Sequence, residues 1–516
     1  MPIKHPNLQL QRMNGPIPAW RGKISSVELL PICQSVRDGG GRLLALWGCD
    51  ERAQDNGFTL EVALVNQTGL VCLSVNLSAE APTFPDLSQI FPAANRMQRA
   101  LYDLLGIVAF GSHDQRKWLR HAAWHSGSFP LRKDFTAESG ATAESDNYDF
   151  VRVDGQGVHE IPVGPVHAGI IEPGHFRFSI VGEKVLRLEE RLGYTHKGIE
   201  KLFENNVLQK SAKLAGRISG DSSVAYAWAY AMATESIANL TPPDRALWLR
   251  ALFLERERVA NHLGDLGYLG NDVALSFGFA QFWILKEQML RTNAALFGHR
   301  YLMDCIIPGG VSVDVSLEGK QIIEQECAHL EQQVKILRGI YEEHAGVQDR
   351  FIGTGRIEPK LAAQLGLCGL AGRASSQAWD ARVQFPCAPY DQLEVQMAIS
   401  RNGDVAARVI VRFDELIESL RLQRKILVNL LGKDVHVYPL EQLPPNSFGV
   451  GMVEGWRGEV FMAIHTDAAG KLTRVHPHDP SWQNWPVLEH AILNNIVPDF
   501  PLINKSFNLS YSGHDL

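Results

Sequence analysis

DRALWLRALFLERERVANHLGDLGYLGNDVA, residues 244–274, is the stretch that decides the fold. Apolar residues recur in it every three or four positions and no proline interrupts it, so it predicts one long helix. Thr241 followed by two prolines marks its start, because proline is tolerated in the first turn of a helix. Three later stretches with similar spacing are residues 280–304, 318–344 and 403–431. Together the four stretches predict a helical bundle as the core of the chain.

One face of this long predicted helix is polar. At 100° per residue, six polar side chains fall within about 120° of arc. They are Glu255, Arg258, Asn261, His262, Asp265 and Asp272. A solvated helix face explains such a pattern. A buried polar strip that lines a cleft, with every group paired, explains it as well.

The parts of the chain on either side of the bundle are predicted to be rich in strands. Short apolar β-type stretches with one helical stretch predict an α/β sandwich domain over residues 1–135. Residues 136–150 begin with TAESGATAESDN, which has no large apolar residue and is typical of a linker. Residues 151–516 are predicted to form a second domain that opens with β-hairpins, continues as the helical bundle and ends in strands and loops. The predicted fold class is therefore α+β.

Composition narrows the classes of function. The net charge of −7 argues against binding to nucleic acid, which needs clustered Lys and Arg. The N-terminus lacks the apolar core of a signal peptide, and no apolar run is long enough for a membrane helix, so a cytoplasmic location is expected. The seven cysteines include no C-x-x-C pair, so no local signature of an iron-sulfur cluster or structural zinc is present.

Several polar residues outside the long helix are candidates for a site. Ser219 and Ser222 in RISGDSS have the spacing of a metal-binding thiol pair, although Ser and Asp before a helix are also typical N-caps. His167 and His175 flank predicted tight turns, where histidine can bind a metal, shuttle protons or simply face solvent. In RASSQAWDAR, the spacing of Arg373 and Asp380 would place them on one helix face with Arg382 slightly off it, and an internal ion pair is one explanation.

Several longer motifs closely resemble a known family. They are GPVHAGIIEPGHFRFSIVGEKVLRLEERLGYTHKGIEKLF at 164–203, ERERVANHLGDLGYLGNDVA at 255–274, RASSQAWDAR at 373–382 and NIVPDFPLINKSFNLSYSGHDL at 495–516. These motifs resemble the large subunit of group 4 membrane-bound [NiFe] hydrogenases and the 49 kDa subunit of respiratory complex I. IFPAANRMQRALYDLLGI and HSGSFPLRKDF resemble the 30 kDa subunit of complex I. The order of the two parts is that of the fused hydrogenase subunits.

The resemblance implies that the metal ligands of the hydrogenases are missing here. Their first cysteine pair corresponds to Ser219 and Ser222, and their second pair is aligned with Ser481 and Asn484 in DPSWQNW. The histidine usual after the first pair corresponds to Tyr226. A serine hydroxyl is a hard and protonated donor that cannot replace a soft thiolate, so no metal is expected. The quinone-binding tyrosine and histidine of complex I correspond to Gly220 and to about Ile171, whereas their acidic partner is matched by Asp272.

The resemblance therefore implies a metal-free member similar to the energy-converting hydrogenase-related complexes. Such a subunit would lie peripherally on the cytoplasmic face of the membrane and couple redox or conformational change to ion translocation. No cofactor is expected in this chain; iron-sulfur clusters are expected in its partners, and quinone is a possible ligand. The implied partners are a small iron-sulfur subunit, a ferredoxin-like iron-sulfur subunit, a membrane anchor and antiporter-like subunits, without nucleic acid.

Two functions stay open for this subunit, an oxidoreductase that reduces quinone at an altered site and a structural connector without turnover. The residues expected to act in it are His167, Glu255, Arg258, His262, Asp265 and Asp272. The residues expected to line the vacated metal cavity are Ser219, Asp221, Ser222 and Ser481.

Overall fold

The computed structural model describes residues 3, 8–121, 124–125, 127–136, 147–166, 171–204, 206–430 and 435–516. Its N-terminal part is a five-stranded sheet in the order β1-β2-β5-β4-β3, in which β2 and β5 run parallel and the other neighbours run antiparallel. These strands are β1 (Gln11–Arg12), β2 (Ala19–Ile24), β3 (Arg42–Asp50), β4 (Phe58–Asn66) and β5 (Gly69–Leu77). Most residues of β3, β4 and β5 are buried, which explains their nearly continuous apolar sequence.

Two helices and a small second sheet complete the N-terminal part. They are α1 (Ser26–Asp38), α2 (Ala94–Leu105), β6 (Thr83–Pro85) and β7 (Val108–Phe110). Helix α2 packs along β3 and buries most of its length. The α/β sandwich predicted for this part is confirmed by this arrangement.

The second part opens with an antiparallel sheet in the order β10-β9-β8, as the hairpin prediction required. Its strands are β8 (Val158–Val163), β9 (His175–Val181) and β10 (Lys184–Arg191). Helices α3 (Ile199–Phe203), α4 (Leu208–Ala215) and α5 (Ser223–Ala238) follow. Helix α5 is buried along almost its whole length and lies against β13 (Phe448–Glu454) of a C-terminal sheet. The contact requires glycine, because a Cβ on Gly451 would lie 2.0 Å from the Ala229 carbonyl oxygen.

The bundle consists of four long helices and shorter connecting ones. The long helices are α6 (Asp244–Asp272), α7 (Ser276–Phe297), α8 (Leu317–Glu343) and α13 (Val405–Asn429). Between α7 and α13 lie β11 (Ile306–Ile307), β12 (Gly310–Val311), α9 (Ala345–Phe351), α10 (Pro359–Leu365), α11 (Gly369–Arg373) and α12 (Ala381–Gln384). Helix α6 is central, since it packs against both α7 and α13.

The C-terminal region returns to strands, as predicted, and then ends in helices. Strands β13, β14 (Glu459–Thr466) and β15 (Leu472–His478) form an antiparallel sheet. Helices α14 (Ser481–Ala491), α15 (Phe500–Phe507) and α16 (Tyr511–Asp515) follow. In the part of the chain that the structure describes, no helix combines the length and the apolar character needed to cross a membrane.

Candidate functional site

The polar face of α6 is buried. Glu255, Arg258 and His262 have no exposed surface and Asp265 is 4% exposed, so a solvated face is excluded for these residues. Asn261 is half-buried and lies at the edge of the strip, whereas Asp272 lies half-exposed at the last residue of the helix. The sequence pattern is thus a strip of charges inside the protein, and each charge must find a partner there.

Glu255 is held by three donors from outside its own helix. It accepts hydrogen bonds from Arg382 (Nη1, 3.0 Å), Tyr390 (OH, 2.7 Å) and Ser419 (Oγ, 2.6 Å). Burial by itself raises the pKa of this carboxyl, but Arg382 and Arg258 outweigh it, so the pKa lies below its usual range. Glu255 is therefore a buried anion at neutral pH.

Glu415 on α13 is the centre of the buried network. Its carboxylate contacts Arg373 at 2.7 Å, Arg258 at 3.1 Å and the Nε2 atom of His262 at 3.2 Å. Burial opposes ionisation, but these three partners hold the pKa of Glu415 well below its usual range. Burial lowers the pKa of His262, which makes its ring neutral at pH 7. Its Nδ1 atom has no hydrogen-bond partner among the described residues.

The ion pair predicted from RASSQAWDAR exists, but not on one helix. Arg373 ends α11, and Asp380 caps α12 by accepting a hydrogen bond from the Arg382 amide. The shared-face prediction is therefore wrong, because the chain leaves the helical conformation between them and Ser376 has a φ of 65°. Asp380 contacts Arg382 at 2.7 Å and Arg373 at 3.8 Å, and Arg373 also contacts Glu454 at 2.7 Å.

The charges of this network do not balance. Its carboxylates are Glu255, Asp380, Glu415 and Glu454, and its guanidiniums are Arg258, Arg373 and Arg382. With four carboxylates, three guanidiniums and a neutral His262, the network has an excess of negative charge that favours protonation of one carboxylate. Burial and the neighbouring Asp380 raise the pKa of Glu454 to about 7, so Glu454 is the carboxylate of this network that titrates near neutral pH.

Ser219 and Asp221 lie at the start of α5, on the side where the chain reaches the surface. The Ser219 hydroxyl donates to Asp221 Oδ1 at 2.7 Å and lies 3.0 Å from the hydroxyl of Ser510. Asp221 is also paired with Arg457, whose Nη1 donates to it at 2.8 Å. Burial works against ionisation, but Arg457 prevails and lowers the pKa of Asp221 to about 2. The Asp221 side chain is 37% exposed, so the site is open to solvent here.

The N-cap interpretation of these serines is wrong. Ser222 is the residue before α5, but its side chain accepts no capping hydrogen bond. The first amides of α5 are instead capped by Glu257 from α6, whose carboxylate accepts from Val224 N at 2.6 Å and Ala225 N at 3.2 Å. The hydroxyls of Ser219 and Ser222 are therefore turned toward the site rather than toward the helix backbone.

Only one residue of the second predicted pair is linked to this place. The Ser481 hydroxyl accepts a hydrogen bond from the Ser510 amide at 2.9 Å, so Ser481 lies near Ser219. Asn484 is turned elsewhere and exchanges two hydrogen bonds with the Cys368 backbone, at 3.1 and 3.2 Å. Tyr226 is buried and donates to Asp479 at 2.7 Å.

Sequence reasoning missed three residues that complete the site, Arg457, Ser510 and Glu415. The local signal for Ser510 was its place in NLSYSGHDL, where a serine can cap a short helix, as it does in the structure. His167 lies outside the described residues. His175 is buried, contacts the Gly164 carbonyl at 3.3 Å and has a pKa lowered by burial. Burial raises the pKa of Asp272 to about 6, with Lys505 opposing the shift.

The residues at the expected metal positions do not fit a NiFe centre. The oxygens of Ser219 and Ser222 are hard donors that are already bonded to protein groups, to Asp221 and Ser510 in the first case and to Arg457 (3.4 Å) in the second. Among the described residues, no three His, Cys, Asp or Glu side chains are grouped to hold a metal ion.

The chain matches two family models in succession. Residues 23–140 match the 30 Kd subunit of respiratory-chain NADH dehydrogenase, and residues 272–447 match its 49 Kd subunit. Formate hydrogenlyase subunit 5 of Escherichia coli (strain K12) is 29% identical over 92% of this chain and 85% of its own length. The carbon monoxide-induced hydrogenase of Rhodospirillum rubrum is 30% identical over 68% of this chain and 97% of its own length.

A solved structure supports the same relationship. One chain of the membrane-bound sulfane sulfur reductase, an archaeal respiratory membrane complex, superposes with a TM-score of 0.66 and 25% identity, and the match covers 70% of this chain and 99% of that chain. The two family models and these relatives indicate the same family. The chain belongs to the family of complex I 30 kDa and 49 kDa subunits that also includes the hydrogenase large subunits.

Proposed function

We propose that this chain is a metal-free peripheral subunit of a complex I-like, hydrogenase-related membrane assembly, where it couples a redox or conformational change to ion translocation. The observation that carries the proposal is the replacement of two soft ligand positions by Ser219 and Ser222, with Arg457 paired to Asp221 beside them. Nickel and low-spin iron need thiolates, and a protonated hydroxyl next to a guanidinium gives them neither charge nor softness. Hydrogen turnover is therefore not assigned to this chain.

The buried network supports the coupling part of the proposal. Glu454, whose pKa is raised to about 7, lies in a cluster of paired charges, and Glu415 links this cluster to His262 on α6. Arg258 also donates to the Glu454 carbonyl at 2.7 Å, so α6 is bonded directly to the strand that ends at Glu454. A movement of α6 relative to α13 changes the distances among these charges and with them the proton affinity of Glu454.

The names of the relatives supply the proposed setting. They include a formate hydrogenlyase subunit, a hydrogenase and a respiratory membrane complex. We propose that this chain lies on the cytoplasmic face of the membrane and binds two iron-sulfur subunits, a membrane anchor and antiporter-like subunits. The clusters belong to those partners, and the partner next to Ser219 would bring electrons to the site.

A quinone-reducing subunit is the second candidate, and one observation favours it. The site is open at Gly220, where an added Cβ would meet nothing within 4 Å, so a ligand from outside can approach Ser219 and Asp221. A structural connector needs no such opening.

The test is purification of the assembly from solubilised membranes through a tag on this chain, followed by identification of its subunits and measurement of quinone-dependent turnover in proteoliposomes. Co-purified iron-sulfur and antiporter-like subunits with ion transport support the proposal. Turnover lost on Gly220→Trp with an intact subunit composition assigns quinone to this site. A chain that purifies without such subunits contradicts the proposal.

A further inference from the structure

Arg457 joins two segments of the chain that are far apart in sequence. Its Nη1 atom donates to the Asp221 carboxylate at 2.8 Å, and its Nε atom donates to the backbone carbonyl of Asn508. The guanidinium lies over the Trp456 ring at 4.0 Å, and the residue is only 6% exposed. One buried cation therefore binds an oxygen at the start of α5 and an oxygen just before α16.

The second segment depends on such contacts for its order. Helix α16 has five residues, and a helix this short is not stable alone in water. Ser510 caps it by accepting from the Gly513 amide at 2.9 Å, and its hydroxyl lies 3.0 Å from that of Ser219. At the other end, Asp515 accepts from the Thr195 hydroxyl at 2.7 Å, and the Leu516 carbonyl accepts from the amides of Lys197 and Ile199.

We infer that Arg457, Asp221 and the Asn508 carbonyl form a cation clamp that fastens residues 508–516 to the start of α5, so that no metal ion is needed to hold these two segments together. The inference rests on the metal-free function proposed above. It assigns to Arg457 a positioning role, and it identifies Ser510 rather than Asn484 as the residue opposite Ser219. A guanidinium suits this position, because its rigid planar fork donates from Nη1 to Asp221 and from Nε to the Asn508 carbonyl at the same time.

Hydrogen exchange of the purified full-length protein tests the clamp. Arg457→Ala is expected to speed amide exchange in residues 510–516 by at least about tenfold, because local opening of this segment becomes easier. Added methylguanidinium is expected to restore protection, and tetramethylammonium at the same concentration is not. Arg250→Ala is the matched control, since it breaks another buried ion pair, with Glu235, and leaves the clamp intact.

Three further variants keep the inference falsifiable if Arg457→Ala does not fold. Asp221→Asn removes one half of the clamp at a partly exposed side chain and is expected to speed the same exchange. Ser219→Cys with Ser510→Cys is expected to form a disulfide under mild oxidation, whereas Ser219→Cys with Asn484→Cys is not. Unchanged exchange in 510–516 in a folded clamp variant, or a 219–484 cross-link without a 219–510 one, overturns the inference. Stoichiometric nickel in the wild-type protein would instead contradict the proposed function.

Discussion

At the scale of single residues, the site is a set of buried charges whose partners come from distant segments. Glu255 on α6 meets Arg382 and Tyr390, and His262 meets Glu415 on α13. Removing one member of such a set leaves the others buried without a partner, which costs about 3–5 kcal/mol for a broken buried ion pair. A substitution that keeps the shape and removes only the charge is therefore more informative than truncation.

Glu255→Gln is expected to leave the subunit composition intact and to lower ion transport by the reconstituted assembly to less than about a tenth. The amide retains one acceptor oxygen for Arg382, so packing is kept while the buried negative charge is lost. His262→Ala is expected to lower transport more than Glu255→Gln does, because it deletes the side chain that links α6 to Glu415. Glu287→Gln, at an exposed ion pair with Arg291 and Arg300, is the control. Wild-type transport in both network variants would show that these charges serve folding alone.

Glu454 predicts a dependence of stability on pH. Its pKa in the folded protein, about 7, lies above the ordinary glutamate value of about 4.3, so the folded state binds the proton more tightly than the unfolded state. Its contribution to stability is fully present below about pH 4 and is lost as the pH rises to about 7. Glu454→Gln removes this dependence, so the variant is expected to lose more stability relative to wild type at pH 5 than at pH 8. Urea unfolding at the two pH values measures the difference, and an equal loss at both would contradict the assignment.

The sequence predicted the polar face of α6 but did not predict the partners of its residues. The spacing from Glu255 to Asp265 predicted one polar face, because that depends only on helix geometry. The spacing left open whether this face is buried. Sequence reasoning also did not identify Glu415 and Arg457 as members of the site. Glu415 lies more than 150 positions from His262 on α6, and Arg457 lies farther still from Asp221, which precedes α5. Nothing local in a sequence encodes such a pairing.

At the scale of elements, the long helices were predictable and the short ones were not. Residues 318–344 and 403–431 predicted α8 and α13 to within about two residues, because long periodic patterns are reliable signals. The prediction for 280–304 was shifted: α7 begins at Ser276 and stops at Phe297, where Gly298 takes a left-handed conformation. Residues 373–382 were predicted to share one helix, but they do not. Buried ion pairs, rather than helical periodicity, determine the conformation of this segment.

The capping of α5 by a neighbouring helix gives a prediction at this scale. Glu257→Ala leaves the amides of Val224 and Ala225 without an acceptor and is expected to lower the free energy of unfolding by about 1–3 kcal/mol. Glu257→Gln keeps one acceptor oxygen and is expected to lose less. Urea unfolding of both variants measures the effect, with Glu318→Ala on the exposed start of α8 as control. Equal losses for Ala and Gln would mean that the carboxylate does not act as the cap.

At the scale of the whole molecule, two parts with separate sheets are joined by buried ion pairs. Arg96 on α2 contacts Glu190 of β10 at 2.7 Å and Glu489 of α14 at 2.8 Å, and its guanidinium lies over the Trp118 ring. The sequence predicted both parts, from strand alternation in one and helix spacing in the other. The contact between them involves residues too far apart in the chain for any pattern to reveal.

Arg96→Met is expected to destabilise this contact by about 3–5 kcal/mol, because it strands Glu190 inside the protein. The double variant with Glu190→Gln is expected to recover part of the loss, since the fully buried carboxyl group is then a neutral amide and only the partly exposed Glu489 has lost its partner. Thermal unfolding of the single and double variants measures the recovery. A double variant as unstable as the sum of both single changes would show that Arg96 acts by packing rather than by charge.

The absence of a metal centre is the central claim about the whole molecule, and the nickel and iron content of this chain tests it most directly. The assembly is purified through a tag on this chain, the subunit is separated from its iron-sulfur partners without denaturation, and its metals are measured by mass spectrometry. Because hydroxyls bonded to Asp221, Ser510 and Arg457 stand where thiolates would be needed, we expect far less than one nickel per chain. About one nickel per chain, lost when Ser219 and Ser222 are both replaced by alanine, would contradict the account.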